Sequence, residues 1–289
     1  EGYCLDVVGT RGQAEREICS RKEGSAGGKR ARVATRTQSF DGSGTDEFCE
    51  GDGIREGEFE VSAVSIHALP DVLDTYALMN CGASMGEGYG PRIVTKGVKS
   101  IDEVKTGTIA IPGIKTSAHL ALRIMLGEMK TTVVPFDEIM DAVKAGKVDS
   151  GLIIHEGQLT YVEHDLNVLI DVGKWWNSIT DNYPMPLGGN VVRKDLGEKM
   201  MKDITLYTKM SIEYAIQNPD EALEFAKKWG RGIDDDTNKK FVSMYVNDRT
   251  IDYRQDGRDS IKLFLQEGQK IGLIDQDFDT SNIEFIGAV

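Results

Sequence analysis

The chain has 289 residues and a formal net charge of −13, with 40% hydrophobic and 28% charged residues. That length fits two lobes of ordinary domain size or one large α/β domain, with the composition of a globular protein. So acidic a chain offers no footprint for phosphate backbones, which argues against a nucleic-acid partner, and no apolar run is long enough to cross a bilayer, so no membrane partner is expected.

The opening residues Glu1-Gly2-Tyr3-Cys4 show no basic segment followed by an apolar one, so no export signal is expected and the expected location is cytoplasmic. Cys4, Cys19, Cys49 and Cys81 form no Cys-x-x-Cys pair and read as reduced thiols. Residues 1–57 are rich in Gly, Arg and Ser and carry half of the arginines, with no sustained amphipathic period. They read as a poorly packed arm.

Order begins at Phe59. Residues 59–66 alternate apolar with small or polar side chains, which predicts a strand, and 70–76 a short helical connection. A strand is expected over 76–81, a glycine-rich loop over 82–90, and a strand over 92–95. Ser100 is placed to cap a short helix. A βα pattern then repeats: strand 108–111, turn 112–117, helix 118–126, strand 131–134, helix 136–145 stopped by Gly146, strand 148–154. This alternation predicts a parallel sheet with crossover helices. Strands follow at 166–172 and 190–193, and helices at 195–217, 219–229, 235–246 and 256–271.

Four constellations carry chemical potential. Pro112-Gly113-Ile114-Lys115-Thr116-Ser117 joins a strand to a helix; its amides and hydroxyls suit a small anion, or it is an ordinary N-cap. Ser62-Ala63-Val64-Ser65-Ile66-His67 ends a strand in small hydroxyl residues, where open α/β sheets place ligands, or merely closes a turn. Gly82–Gly90 and Pro186-Leu187-Gly188-Gly189-Asn190-Val191-Val192 are either paired crossings between two lobes or independent loops. In Leu152-Ile153-Ile154-His155-Glu156-Gly157-Gln158 an apolar run delivers an imidazole to a loop. His155 titrates near neutrality and suits proton transfer, unless it is a packed, hydrogen-bonded ring. Its neighbours support neither a catalytic triad nor a metal site. His67 reads as structural, His119 and His164 as bystanders, and Trp175 with Trp176 as packing.

Five segments, in this order and spacing, resemble the 1,4-dihydroxy-6-naphthoate synthase family of the futalosine route to menaquinone: Val64-Ser65-Ile66-His67-Ala68, Gly88-Tyr89-Gly90-Pro91, Pro112 through Ala118, the His155 segment, and Pro186 through Arg193. The resemblance runs from about Gly57 to Asp275. It implies an α/β, two-lobed type II periplasmic-binding-protein-like fold with a ligand cleft between the lobes. The lobes would be 1–93 (with 1–57 atypical), 94–190, and a mainly helical return over 191–289.

It further implies a carbon–carbon lyase acting on a small molecule, cyclic dehypoxanthinyl futalosine, without metal or organic cofactor, as a monomer or homodimer. His155 falls on the family's general base, and its substrate contacts fall on Ala63, Val64, Ser65, Thr116 and Ser117, where the family has a second threonine in place of Ser117. The family opens with a strand and a Ser-Pro-Cys-Pro-Asn-Asp-Thr-like loop, of which residues 1–57 contain nothing. Their Arg/Gly/Ser excess, giving way near Glu58, is what an out-of-frame reading produces. Chorismate dehydratase of the same pathway and a transporter's solute-binding protein are the competing readings.

Overall fold

A computed structural model describes residues 5–8, 31–34, 57–154, 157–227 and 235–287. The chain begins in a first sheet with β1 (Leu5–Val8), β2 (Ala31–Ala34), β3 (Val61–Ser65), β4 (Tyr76–Met79) and β5 (Ser84–Gly86). It crosses to a second sheet for β6 (Arg92–Lys96), β7 (Thr108–Ile111), β8 (Lys130–Val133), β9 (Ser150–Ile153) and β10 (Leu166–Asp171). It then returns for β11 (Met185–Arg193) and β12 (Phe285–Ile286). The strand orders are β1-β2-β3-β11-β4-β12, with β5 also on β11, and β10-β6-β9-β7-β8.

Two findings differ from the sequence expectation. The second sheet is mixed: β7 is parallel to β8 and β9, but β6 runs antiparallel to both β9 and β10. Only the strands joined by crossover helices need be parallel; β6 enters directly from the other sheet, so its direction is set by that entry. The first 57 residues also supply two strands, β1 parallel to β2 and β2 to β3. The other residues of the Arg- and Gly-rich arm lie outside the described residues, as do Cys4, Cys19 and Cys49.

The helices are α1 (Ile101–Thr106), α2 (Ser117–Leu126), α3 (Ile139–Lys144), α4 (Gly157–Thr160), α5 (Val172–Ile179), α6 (Glu198–Gln217), α7 (Pro219–Lys227), α8 (Asp235–Tyr245), α9 (Asp248–Ile251) and α10 (Arg254–Lys270). Local chemistry accounts for several of their ends. Ser100 and Glu103 form a reciprocal capping box on α1. Thr116 caps α2 by accepting from the His119 amide, and Gly127 stops it at φ 79°.

The largest apolar cluster joins the sheets instead of dividing between them. Val64, Ile66, Tyr76 and Leu78 belong to the first sheet and its following turn, Ile93, Ile109, Ile111, Leu152 and Ile170 to the second. Leu120 and Leu122 of α2, Trp176 of α5 and Phe264 of α10 fill the space between. Trp176 stands edge-on to Phe264 with centroids 5.3 Å apart and donates to Ser260 Oγ at 3.0 Å. Ser260 in turn donates to Pro184 O at 2.7 Å. Trp176 is thus core packing, as its sequence context suggests.

The outward crossing is 87–91, between β5 and β6. The return follows α5, at 180–184, before β11 begins. A boundary after residue 190 therefore cuts through β11, which among the described residues pairs with strands of the first sheet. The Gly188-Gly189 pair sits inside that strand. Its role is close approach: a Cβ on Gly189 would lie 2.4 Å from the Tyr253 hydroxyl.

At the outward crossing Gly90 meets Gly173, the second residue of α5, with a Cβ on Gly173 falling 2.0 Å from Tyr89 O. Arg249 braces the same segment, donating to Glu87 at 2.7 Å and gripping Asp256 at the start of α10 with both terminal nitrogens. These two carboxylates raise the guanidinium's proton affinity above its ordinary value.

Because backbone, not a flexible side chain, faces Gly173, Gly173→Ala is expected to destabilise the protein by about 1–3 kcal/mol. A lowered urea midpoint at unchanged m-value would show it.

Candidate active site

Strand ends gather at one edge of the second sheet. β7 ends at Ile111 and runs into the 112–116 turn; β9, parallel to it, ends at Ile153 beside Arg92, where β6 starts after the crossing. Open α/β sheets bind ligands at the carboxyl ends of strands where the chain changes direction, and this edge has that character.

From the first sheet, the 3-10 turn Ile66–Asp71 after β3 docks on the β7–α2 turn. The His67 amide donates to Ser117 Oγ at 3.3 Å, and His67 Nδ1 lies 3.3 Å from Thr116 O. Lys115 pairs with Asp71 at 2.9 Å. Ser117 Oγ donates to Leu187 O on β11 at 2.5 Å. One serine hydroxyl at the first residue of α2 thus holds both β11 and the turn after β3.

The residues proposed from sequence fall as follows. Ala63 is exposed on β3, Ser65 is half-buried at its end, and the two share one face of the strand. Val64 turns the other way into the core, so only its backbone remains for a ligand. Ser65 stands opposite Gly188 in β11, one residue from the carbonyl that Ser117 holds. Ser65, Thr116, Ser117 and Leu187 are thereby brought to one junction.

Both α2 hydroxyl protons are committed in this state, Thr116 Oγ1 donating to Gly113 O at 2.8 Å and Ser117 Oγ to Leu187 O. Neither hydroxyl therefore has a proton left to donate to a ligand in this state. His155 and Glu156 lie outside the described residues; Ile154 and Gly157 bracket them.

The remaining histidines have structural settings. His67 is buried, and desolvation, reinforced by the Lys115 cation, pulls its pKa down to about 4. His119 is buried beside Ile114 O at 2.7 Å and is also lowered by desolvation. His164 lies at the surface near Asp141. Cys81 is a buried free thiol, pushed up to about 11 by burial. No cluster of three metal-binding side chains occurs among the described residues.

A second group was not assembled from the sequence. Gln158, fully buried on α4, accepts from Tyr245 OH at Oε1 (2.9 Å) and from Arg92 Nη1 at its backbone oxygen (2.6 Å). Arg92 also pairs with Asp171 at 3.3 Å. Tyr245 packs against Phe241 and Tyr89, with centroids 5.1 and 5.5 Å apart. Burial raises the Tyr245 phenol's pKa, so it serves as a neutral donor. The glutamine is visible in the sequence, but its partners lie 66 and 87 residues away, with no local signal linking them.

This architecture is that of a periplasmic-binding-protein-like fold. The chain is similar to a periplasmic sulfonate-binding protein, SsuA of Methylobacillus flagellatus, with a TM-score of 0.57 and 14% identity over 89% of this chain and 79% of that one; this likeness speaks for fold alone. It is closer to protein AF1704 of Archaeoglobus fulgidus, at TM-score 0.75 and 34% identity over 84% and 88% of the two chains.

Sequence narrows the class further. A family model described as menaquinone biosynthesis matches residues 52–270. The 1,4-dihydroxy-6-naphthoate synthase of Streptomyces coelicolor is 32% identical over 224 residues, 75% of this chain and 78% of that protein. The Thermus thermophilus enzyme of the same name is 30% identical over 219 residues, 75% and 79% of the two. The chain belongs to the menaquinone-biosynthesis family, whose named relatives here are biosynthetic enzymes.

The buried neutral histidine sets a pH dependence. Unfolded, His67 takes a proton near pH 6.5; folded, only near pH 4, so the unfolded state binds more protons between these values. Stability is full above about pH 6.5 and falls as pH drops through that window, by up to about 3 kcal/mol from this residue. Denaturant melts from pH 7 to pH 4 should show that fall, with a shallower slope in His67→Asn.

Proposed function

We propose that the protein is a lyase that converts cyclic dehypoxanthinyl futalosine to 1,4-dihydroxy-6-naphthoate, with His155 as general base. The observation that carries this reading is the match to two 1,4-dihydroxy-6-naphthoate synthases across three quarters of the chain. The docking of the β7–α2 turn against β11 and the turn after β3 supports it.

In this reading a neutral His155 takes a substrate hydroxyl proton. The freed O–H electron pair forms a carbonyl as the adjacent C–C bond breaks. That bond's electrons go to the departing carbon, and the imidazolium returns its proton there. Ser65, with the Ala63 and Val64 backbone, lines one side. The first amides of α2, next to Thr116 and Ser117, hold the substrate's carboxylate, which a helix N-terminus favours. The protein works in the cytoplasm, as a monomer or homodimer. Its first lobe takes residues 1–93 and the helical return, and its second begins at 94. Strand pairing favours starting the second lobe with β6 at Arg92 and ending it near 180–184, instead of at 94 and 190.

Purified protein incubated with cyclic dehypoxanthinyl futalosine should yield naphthoate absorbance, with none from chorismate. Turnover of chorismate alone would point to the dehydratase, and binding without turnover of either to a solute-binding role. His155→Ala is expected to lose at least about a hundredfold in kcat, in keeping with general-base removal, while melting as wild type. A near-normal kcat would remove His155 from the mechanism.

Ser117→Ala leaves Leu187 O and the His67 amide without a partner and should cost about 1–3 kcal/mol of stability. Ser117→Thr, which keeps the hydroxyl, should cost less.

A further inference from the structure

Five buried side-chain polar atoms have no hydrogen-bond partner among the described residues: His67 Nε2, His119 Nε2, Ser150 Oγ, Tyr253 OH and Gln158 Nε2. The first two are the second nitrogens of imidazoles whose Nδ1 atoms face carbonyl oxygens. Ser150 and Tyr253 are single hydroxyls in the core. Gln158 differs from these four. Its carboxamide presents two N–H groups with no acceptor among the described residues, and it lies on α4, three residues after His155 in the sequence. Buried donors are paired in native proteins with few exceptions, and an exception of this kind is a candidate for an acceptor from outside the chain.

The side chain is also held in one orientation. Tyr245 donates to Oε1, which leaves the nitrogen as the free end, and Arg92 fixes the backbone oxygen of the same residue. Tyr245 is itself positioned: Tyr89, in the outward crossing, donates its hydroxyl to Met244 O, and its ring abuts Tyr245. The helical tail therefore reaches over the crossing to set the angle of one carboxamide beside the His155 segment. An ordered donor left without an acceptor is the arrangement expected of a preorganised ligand contact.

We propose that Gln158 is a substrate-orienting residue. Its Nε2 donates to an oxygen acceptor of the bound substrate, a carbonyl or carboxylate, while Tyr245 is the positioning residue that aims it. The inference rests on the lyase reading for the identity of the substrate.

The test compares steady-state turnover of cyclic dehypoxanthinyl futalosine by wild type, Gln158→Leu, Gln158→Glu, Tyr245→Phe and the Gln158→Leu/Tyr245→Phe double variant. Gln158→Leu should lose on the order of tenfold to a hundredfold in kcat/KM, the range for a lost hydrogen bond to a charged or strongly polarised group. Gln158→Glu, which offers Tyr245 an oxygen but presents no amide donor, should lose as much. Tyr245→Phe should lose on the order of fivefold, as for a neutral hydrogen bond, and nothing further when Gln158 is already leucine.

The pH midpoint of kcat/KM should stay in place. A midpoint that moves with KM unchanged would mean that Gln158 serves the imidazole and would overturn the proposal. Wild-type kinetics in Gln158→Glu, or additive losses in the double variant, would overturn it as well. The lyase reading fails separately, if wild type itself makes no naphthoate. The proposal is then decided by the Kd for 1,4-dihydroxy-6-naphthoate, expected to rise about tenfold in Gln158→Leu; equal values sink it. That binding measurement also decides the case if a variant melts early, since it is made below the melting point on the folded fraction.

Discussion

Everything near the site depends on the docking of the β7–α2 turn against the first sheet. Ser117 donates to Leu187 O and accepts from the His67 amide, while Lys115 and Asp71 close the same contact from the rim. The exposed ion pair contributes little by itself. The serine does more, because each of its partners is a backbone group with no alternative once water is excluded. With the turn docked, α2 is enclosed on nearly every side, and Ser117 through Leu122 are all buried. The apolar core then runs unbroken from one sheet to the other.

That shared core constrains how the molecule can move. Two lobes joined only by crossings open about a hinge. Here the outward crossing is pressed against α5 at Gly90 and Gly173, braced by Arg249, and backed by Trp176 on Phe264. Opening the junction would expose Ile109, Leu120 and Trp176 and strip the pairing from Ser117 and Ser260. Thr116, Ser117 and Gln158 are each held in orientation by a second residue.

Much of this was legible from residues alone. The strand Thr108–Ile111 and helix Ser117–Leu126 follow from an apolar run, a capping threonine and a stopping glycine, all local signals. The Ser100 box and the Gly146 stop are equally local. What escaped was short or long-range. β5 has three residues and no period to read. The first half of β11 is hidden by Pro186, Gly188 and Gly189, which argue against a strand unless Tyr253 is known to press on it. The reversed direction of β6 depends on where the chain enters the sheet.

The candidate site divides in the same way. The ingredients can be read along the chain: a strand ending in Ala63-Val64-Ser65, a hydroxyl-bearing turn at Thr116 and Ser117, an imidazole at His155, and membership of a family. Those are properties of contiguous residues, and contiguous residues carry them wherever the segment goes. Long-range packing is what turns Val64 to the core, gives the Ser117 proton to β11, and sets Tyr245 from the helical tail against Gln158. Hydrogen bonds between residues 70 and 87 positions apart have no signature in local pattern. They exist because the packing of two sheets on one core brings distant backbone and side chains within 3 Å of one another.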